Sequence, residues 1–189
     1  MNLKGVDGLS RKEGELAAKA EISLILDDYE DIFSDFDPRP HSQRALSVDF
    51  LEEAKRATRE QRDGGFELGI LVPAVRRRLE KESIIKGRLK EHFKKHANIL
   101  DKEKRGVLKQ GITFFVFGIL FMFFAAYILV YYRTNLGLIK EFLVVLLEPG
   151  GWFLFWEGLD LMIFETKRIR PDLDFYKKMT KAEINFNHY

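Results

Sequence analysis

Hydrophobic and polar positions are sharply segregated along this chain. The longest block is 111–132, GITFFVFGILFMFFAAYILVYY, 22 residues without a charge. At 1.5 Å rise per residue, a helix of that length is about 33 Å long, enough for a hydrocarbon core of about 30 Å. Apolar side chains, among them Phe114, Phe115, Phe117, Phe121, Phe123 and Phe124, occupy all its faces. The alternative is a buried core helix, but the roughly 100 residues left for a soluble domain could not surround it. The pattern therefore predicts a first transmembrane helix over 111–132. Tyr131 and Tyr132 at its end are expected as interface anchors, ring in lipid and hydroxyl in water. An apolar run starting at residue 111 is expected to be a span and not a cleaved leader.

The next segment, 137–165, is less uniform. Apolar blocks at 142–147, 152–156 and 161–164 are interrupted by Glu148, Pro149, Gly150, Gly151, Glu157 and Asp160. A span over 142–161 has 20 residues, which suffices, and residues 133–136 allow only a tight return. Pro149 lacks an amide hydrogen and two glycines follow it, so a kink or break is expected near 149–151. Trp152 and Trp156 read as packing or interface anchors. Lys102, Lys104, Arg105 and Lys109 precede the first span, and Lys167, Arg168 and Arg170 follow the second. The connection offers Arg133, with Lys140 balanced by Glu141. This bias places both termini in the cytoplasm, with Lys109, Lys167 and Arg168 at the inner interface.

Elsewhere the periods are those of a small α+β region at 21–110. Residues 1–20 are polar and read as a flexible tail. EISLIL (21–26) is a candidate strand. Asp37-Pro38-Arg39-Pro40 must be extended or a turn. Ser47 can cap a helix over about 48–61, with a Phe50, Leu51, Ala54, Ala57 stripe and a Glu52–Arg56 pair. FELGILV (66–72), closed by Pro73, is the strongest strand pattern. From Val75 the pattern turns helical through Leu79, Ile85, Leu89, Phe93, Ala97 and Leu100. This helix is expected to continue toward the first span, breaking if anywhere near Gly106 or Gly111. The region 166–189 forms a cytoplasmic tail. Its end, KAEINFNHY, alternates as a half-buried strand that could pair with 66–72.

Composition adds little to this except by exclusion. With no cysteine among 189 residues, disulfide scaffolds, thiolate metal sites and cysteine nucleophiles drop out. Residues 76–109 carry 13 basic against five acidic groups, while 1–75 carry ten basic against 16 acidic. Continuity with a span makes lipid headgroups the expected partner of the basic run, ahead of nucleic acid. His92 and His96 have the (i, i+4) spacing of a helical zinc pair. Without a glutamate between them, and with Lys94 and Lys95 repelling a cation, a solvated basic helix is the better reading. Glu148, Glu157 and Asp160 are the candidate intramembrane polar residues. They are read either as a proton or ion relay, or as groups that snorkel to the two interfaces. No catalytic constellation, metal site or cofactor motif stands out.

Three stretches, DIFSDFDPRPHSQRALSVDFLEEAKRAT (31–58), RLKEHFKKH (88–96), and EPGGWFLFWEGLD with FYKKMTKAEINF (148–160 and 175–186), resemble a family of uncharacterised prokaryotic two-span integral membrane proteins. The resemblance implies topology alone and carries no activity, cofactor or partner. The expectation is thus an α+β cytoplasmic domain of helices and a short sheet on a two-helix transmembrane hairpin in the inner membrane. It is expected to be non-enzymatic, a scaffold or accessory subunit. Its partners are the bilayer and either a homo-oligomer or an unidentified membrane protein. A subunit of an oligomeric proton or ion pathway is the alternative.

Overall fold

A computed structural model describes residues 22–59, 67–132 and 137–189. The tail at 1–20, the end expected for the 48–61 helix with Asp63-Gly64-Gly65, and the connection at 133–136 lie outside the described residues. The described chain is mostly helical with a small three-stranded sheet. Strands β1 (Ile22–Ile25), β2 (Glu67–Val72) and β3 (Glu183–His188) are all parallel, in the order β1-β2-β3. The helices are α1 (Val48–Arg59), α2 (Leu79–Tyr131), α3 (Leu138–Asp160) and α4 (Thr166–Lys181), with a π-helical turn, Leu161–Glu165, between the last two.

The chain divides into two compact units. The first comprises residues up to Ala97 together with Asp174–Tyr189, the second Asn98–Leu173. In the first unit β2 is central, and five of its six residues are buried, as a strand flanked by two others requires. The C-terminal strand pairs with it in the register Leu68↔Ile184 and Ile70↔Phe186. The alternation of 182–188 therefore buries Ala182, Ile184 and Phe186. Around the sheet lie Phe50 and Ala54 from α1, Tyr29, Ile32 and Phe33 from the segment after β1, Ile85, Leu89 and Phe93 from α2, and Phe175 and Met179 from α4.

Three sequence expectations change, and one holds: helix α2 is continuous for 53 residues through Gly106 and Gly111. It begins at Leu79, after a short 3-10 turn at Ala74–Arg76, which leaves Val75 98% exposed and outside the apolar stripe. Helix α3 runs through Pro149-Gly150-Gly151 without a break; the irregular turn comes at Leu161–Glu165 instead. Arg56 pairs with Glu53 at 3.6 Å, one turn away by (i, i+3), where Glu52 was expected.

Candidate functional site

The second unit holds the candidate residues of the apolar segments, and its geometry is set by four glycines. A Cβ built on Gly118 would lie 2.5 Å from the Phe155 nitrogen and 2.7 Å from the Gly151 oxygen. One on Gly158 would lie 2.5 Å from the Phe115 nitrogen and 2.7 Å from the Gly111 oxygen. These neighbours are backbone atoms, so helices α2 and α3 touch main chain to main chain, a contact that small residues alone permit. Gly111 and Gly118 are seven residues apart, as are Gly151 and Gly158, and the pairs run antiparallel. A seven-residue spacing keeps one face of each helix on the seam, the left-handed packing common to soluble and membrane helix pairs. The next step of the heptad brings Ala125 level with Val144, and both are buried. Phe115 and Phe155 close the seam with ring centroids 5.0 Å apart.

The outer surface is the reverse of the seam. Phe117, Phe123, Phe124, Val130, Phe142, Val145, Trp152, Phe153 and Trp156 are all exposed. A hairpin with glycine and alanine inside and large apolar groups outside is inverted relative to a pair of helices folded for water. Among the described residues, one helix, α2, is long and apolar enough to cross a membrane. In α3 the same kind of surface is diluted by Glu148, Pro149, the glycines and Glu157.

This register separates the three carboxylates. Glu148 lies level with Phe121, the middle of the 111–132 run, and is exposed. Glu157 lies level with Ile112 and Asp160 with Lys109, both at the charged end of that run. They are not one cluster. Trp152 lies level with Phe117, inside the apolar run, and Trp156 level with Thr113, nearer its charged end. At the far end Tyr127, Tyr131 and Tyr132 form a ring ladder, with centroid separations of 5.6 and 4.9 Å. The Lys140 ammonium sits 3.5 Å from the Tyr132 ring centroid, over an aromatic face. At the other end Asp160, Phe164, Lys167 and Arg168 line an open cleft, and Arg168 pairs with Glu165 at 2.5 Å.

Within the first unit the polar groups are turned on one another. The Tyr29 hydroxyl donates to buried Glu82 at 3.0 Å and accepts from the Arg78 amide. Arg77 donates to Glu82 at 2.8 Å and to the Phe186 carbonyl at 2.9 Å, and the Glu82 bond raises its pKa. Arg76 pairs with Asp28 at 3.0 Å. The start of the basic run is thus a brace across the carboxyl ends of the strands, where the sequence suggested a lipid-facing patch. The Asp37-Pro38-Arg39-Pro40 segment is likewise a staple: Asp37 accepts from Arg39 and from the Ala45 amide at 2.7 Å, and these bonds hold its pKa well below the usual carboxylate range. Glu30 accepts from His41 and Arg44, and the His41 bond is the largest cause of its lowered pKa.

His92 and His96 are half-buried, where the basic pattern predicts a solvated face. Their rings lie 4.2 Å apart and continue into a stack on Tyr176 of α4, 5.2 Å from His96. The His92 Nε2 atom is buried without a hydrogen-bond partner. Burial, then repulsion from His96, Arg88 and Lys95, pushes the His92 pKa from 6.5 down to about 4. Below pH 6.5 the unfolded chain takes up a proton that the folded chain refuses. The His92 contribution to stability should therefore fall as the pH drops from 6.5 to about 4 and level off below that window, where Glu30 and Asp37 take over the acid loss. His96, shifted the same way, adds to the slope. Melting temperatures of the detergent-solubilised protein should fall across the window, and His92→Phe should flatten the curve; an unchanged slope in the variant would contradict the assignment.

No group of three or more His, Cys, Asp or Glu that could hold a metal occurs among the described residues. Comparison of the chain with family models, with curated proteins and with solved structures finds no match. Roles are therefore argued from the residues alone. The glycine seam is the feature that sequence reading misses: Gly111 and Gly151 read singly as helix breakers, and Gly118 and Gly158 draw no reading at all. The shared seven-residue spacing in both segments was the signal.

Proposed function

We propose that this chain is a two-pass protein of the inner (cytoplasmic) membrane, with both termini in the cytoplasm, and that it works without enzymatic chemistry as a scaffold or accessory subunit. The observation that carries the reading is the inversion of the α2–α3 hairpin, small residues inward and Phe, Val and Trp outward. Lipid is the solvent in which that distribution is favourable, because tight packing of small faces replaces the hydrophobic effect between helices. The basic residues of 102–109 and 167–170 then lie at the inner surface, each contributing on the order of 1 kcal/mol of attraction to anionic lipid. Lys109, Lys167 and Arg168 are interface groups in this arrangement, and Tyr131 and Tyr132 form the outer belt. The first unit supplies the mass for protein contacts, and its Tyr29–Glu82–Arg77 group is committed to internal partners.

A second reading, an oligomeric proton or ion pathway, draws on Glu148 alone. Glu157 and Asp160 are level with the charged end of α2 and need no relay to explain them.

The chain has no cysteine, so any introduced thiol is unique. In intact cells a membrane-impermeant maleimide should label Asn135→Cys but reach Ser47→Cys only after permeabilisation. Labelling of Ser47→Cys from outside would reverse the topology, and equal labelling of both in intact cells would refute it.

A further inference from the structure

We propose that the face of α3 carrying Val145, Glu148 and Trp152 is where a second copy of this chain docks within the bilayer. This rests on the membrane reading above. The three residues lie one and two helical turns apart, on one side of the helix, beside but outside the glycine seam. Val145 is 69% and Trp152 56% exposed, and Glu148 is exposed as well.

The register places this patch level with residues 117–124 of α2, in the central part of its apolar run. Here the hairpin presents polar groups to hydrocarbon. The Trp152 indole is a donor only, and the Glu148 carboxyl is an acceptor. Neither has a hydrogen bond among the described residues. Pro149 has no amide hydrogen, so the Val145 carbonyl also lacks the donor a helix would normally supply. From mid-depth the interface is about 15 Å away, beyond the reach of a glutamate side chain, so snorkelling does not relieve the patch. A polar group held at such depth is met by protein.

The occupant follows from symmetry. A two-fold axis along the membrane normal leaves every residue at its own depth, and an isologous contact sets each patch against itself. Each copy then brings a donor, Trp152, about one helical turn in depth from the acceptor Glu148 of the other copy, a gap the indole and carboxyl side chains can bridge. A different partner would need its own polar groups placed at that depth, whereas a second copy carries them already.

Oxidative cross-linking in native membranes tests this. Val145→Cys should form a disulfide-linked dimer. Leu146→Cys, at nearly the same depth but turned by about 100° around the helix, should not. Adding Glu148→Leu to Val145→Cys should weaken association roughly tenfold, the scale of one or two interhelical hydrogen bonds, while Glu148→Gln, which keeps an acceptor, should retain it. Equal cross-linking of Val145→Cys and Leu146→Cys, absence of both dimers, or a cross-link of Val145→Cys to another polypeptide in place of the dimer would overturn the proposal while the protein stays in the membrane. Release of the protein by alkaline carbonate would overturn the membrane reading itself, and the docking proposal with it.

Discussion

Replacing Gly118 or Gly158 by alanine will destabilise the helical hairpin by about 1–3 kcal/mol per site, the usual range for overpacking. The added methyl would meet backbone atoms at 2.5 and 2.7 Å in each case, and no side-chain rotation can relieve that. At Gly111 and Gly151 the nearest atoms are Met162 and Met122 side chains at 2.8 Å, with the Gly158 and Gly118 backbone oxygens next at 3.0 and 2.9 Å, so alanine there should also destabilise, but by less than at Gly118 or Gly158. At Gly87 and Gly106 an added methyl would have nothing within 4 Å, and both residues lie inside α2. Alanine at either should stabilise by roughly 0.5–1 kcal/mol through helix propensity and a more restricted unfolded chain. The same substitution thus changes sign with position. Unfolding of the purified variants in mild detergent against increasing denaturing detergent gives the comparison. Equal effects at Gly118 and Gly106 would contradict the seam.

Phe93→Ala should cost about 3–5 kcal/mol, a large share of the 5–15 kcal/mol that holds a typical protein folded. Its side chain is fully buried and meets the Phe175 ring at 6.1 Å, edge to face, so it joins α2 to the chain's return segment through α4. Phe36 is 98% exposed, and Phe36→Ala should stay within about 0.5 kcal/mol of the parent. Thermal melting of the two variants separates a core position from a surface one of the same residue type. A small loss at Phe93 would show that α2 does not share the core of the first unit.

Much of this fold was legible in the sequence because single-chain periodicity encodes it. The 22 uncharged residues at 111–132, the alternation of 182–188 and the FELGILV pattern each point to one element, and β3 pairs with β2 as the alternation suggested. Sequence period does not report strand direction, so the parallel arrangement had no signature. The glycines were misread for a physical reason. Propensity scores Gly106, Gly111, Gly150 and Gly151 alike as weak helix formers, but two of them gain close packing across the hairpin that outweighs the penalty. Arg76 and Arg77 read as part of a basic surface because charge counts ignore partners; Asp28 lies 48 residues from Arg76, and Glu82, five from Arg77, sits in a helix that begins only after that arginine, outside the helical pair spacings. The histidine pair was similarly judged from its own helix, and Tyr176 of α4 is what removes it from water.

The chain has two tryptophans, and they make its placement measurable. Trp156→Phe leaves Trp152 as the sole indole, and Trp152→Phe leaves Trp156. With the centre of 111–132 at the midplane, the register puts Trp152 about 7 Å and Trp156 about 13 Å from it at 1.5 Å per residue. In vesicles of lipids brominated at defined depths, Trp152 fluorescence should be quenched most by deep bromines and Trp156 fluorescence by shallower ones. Quenching of neither residue, or a Trp156 deeper than Trp152, would contradict a hairpin lodged in the bilayer by its glycine seam.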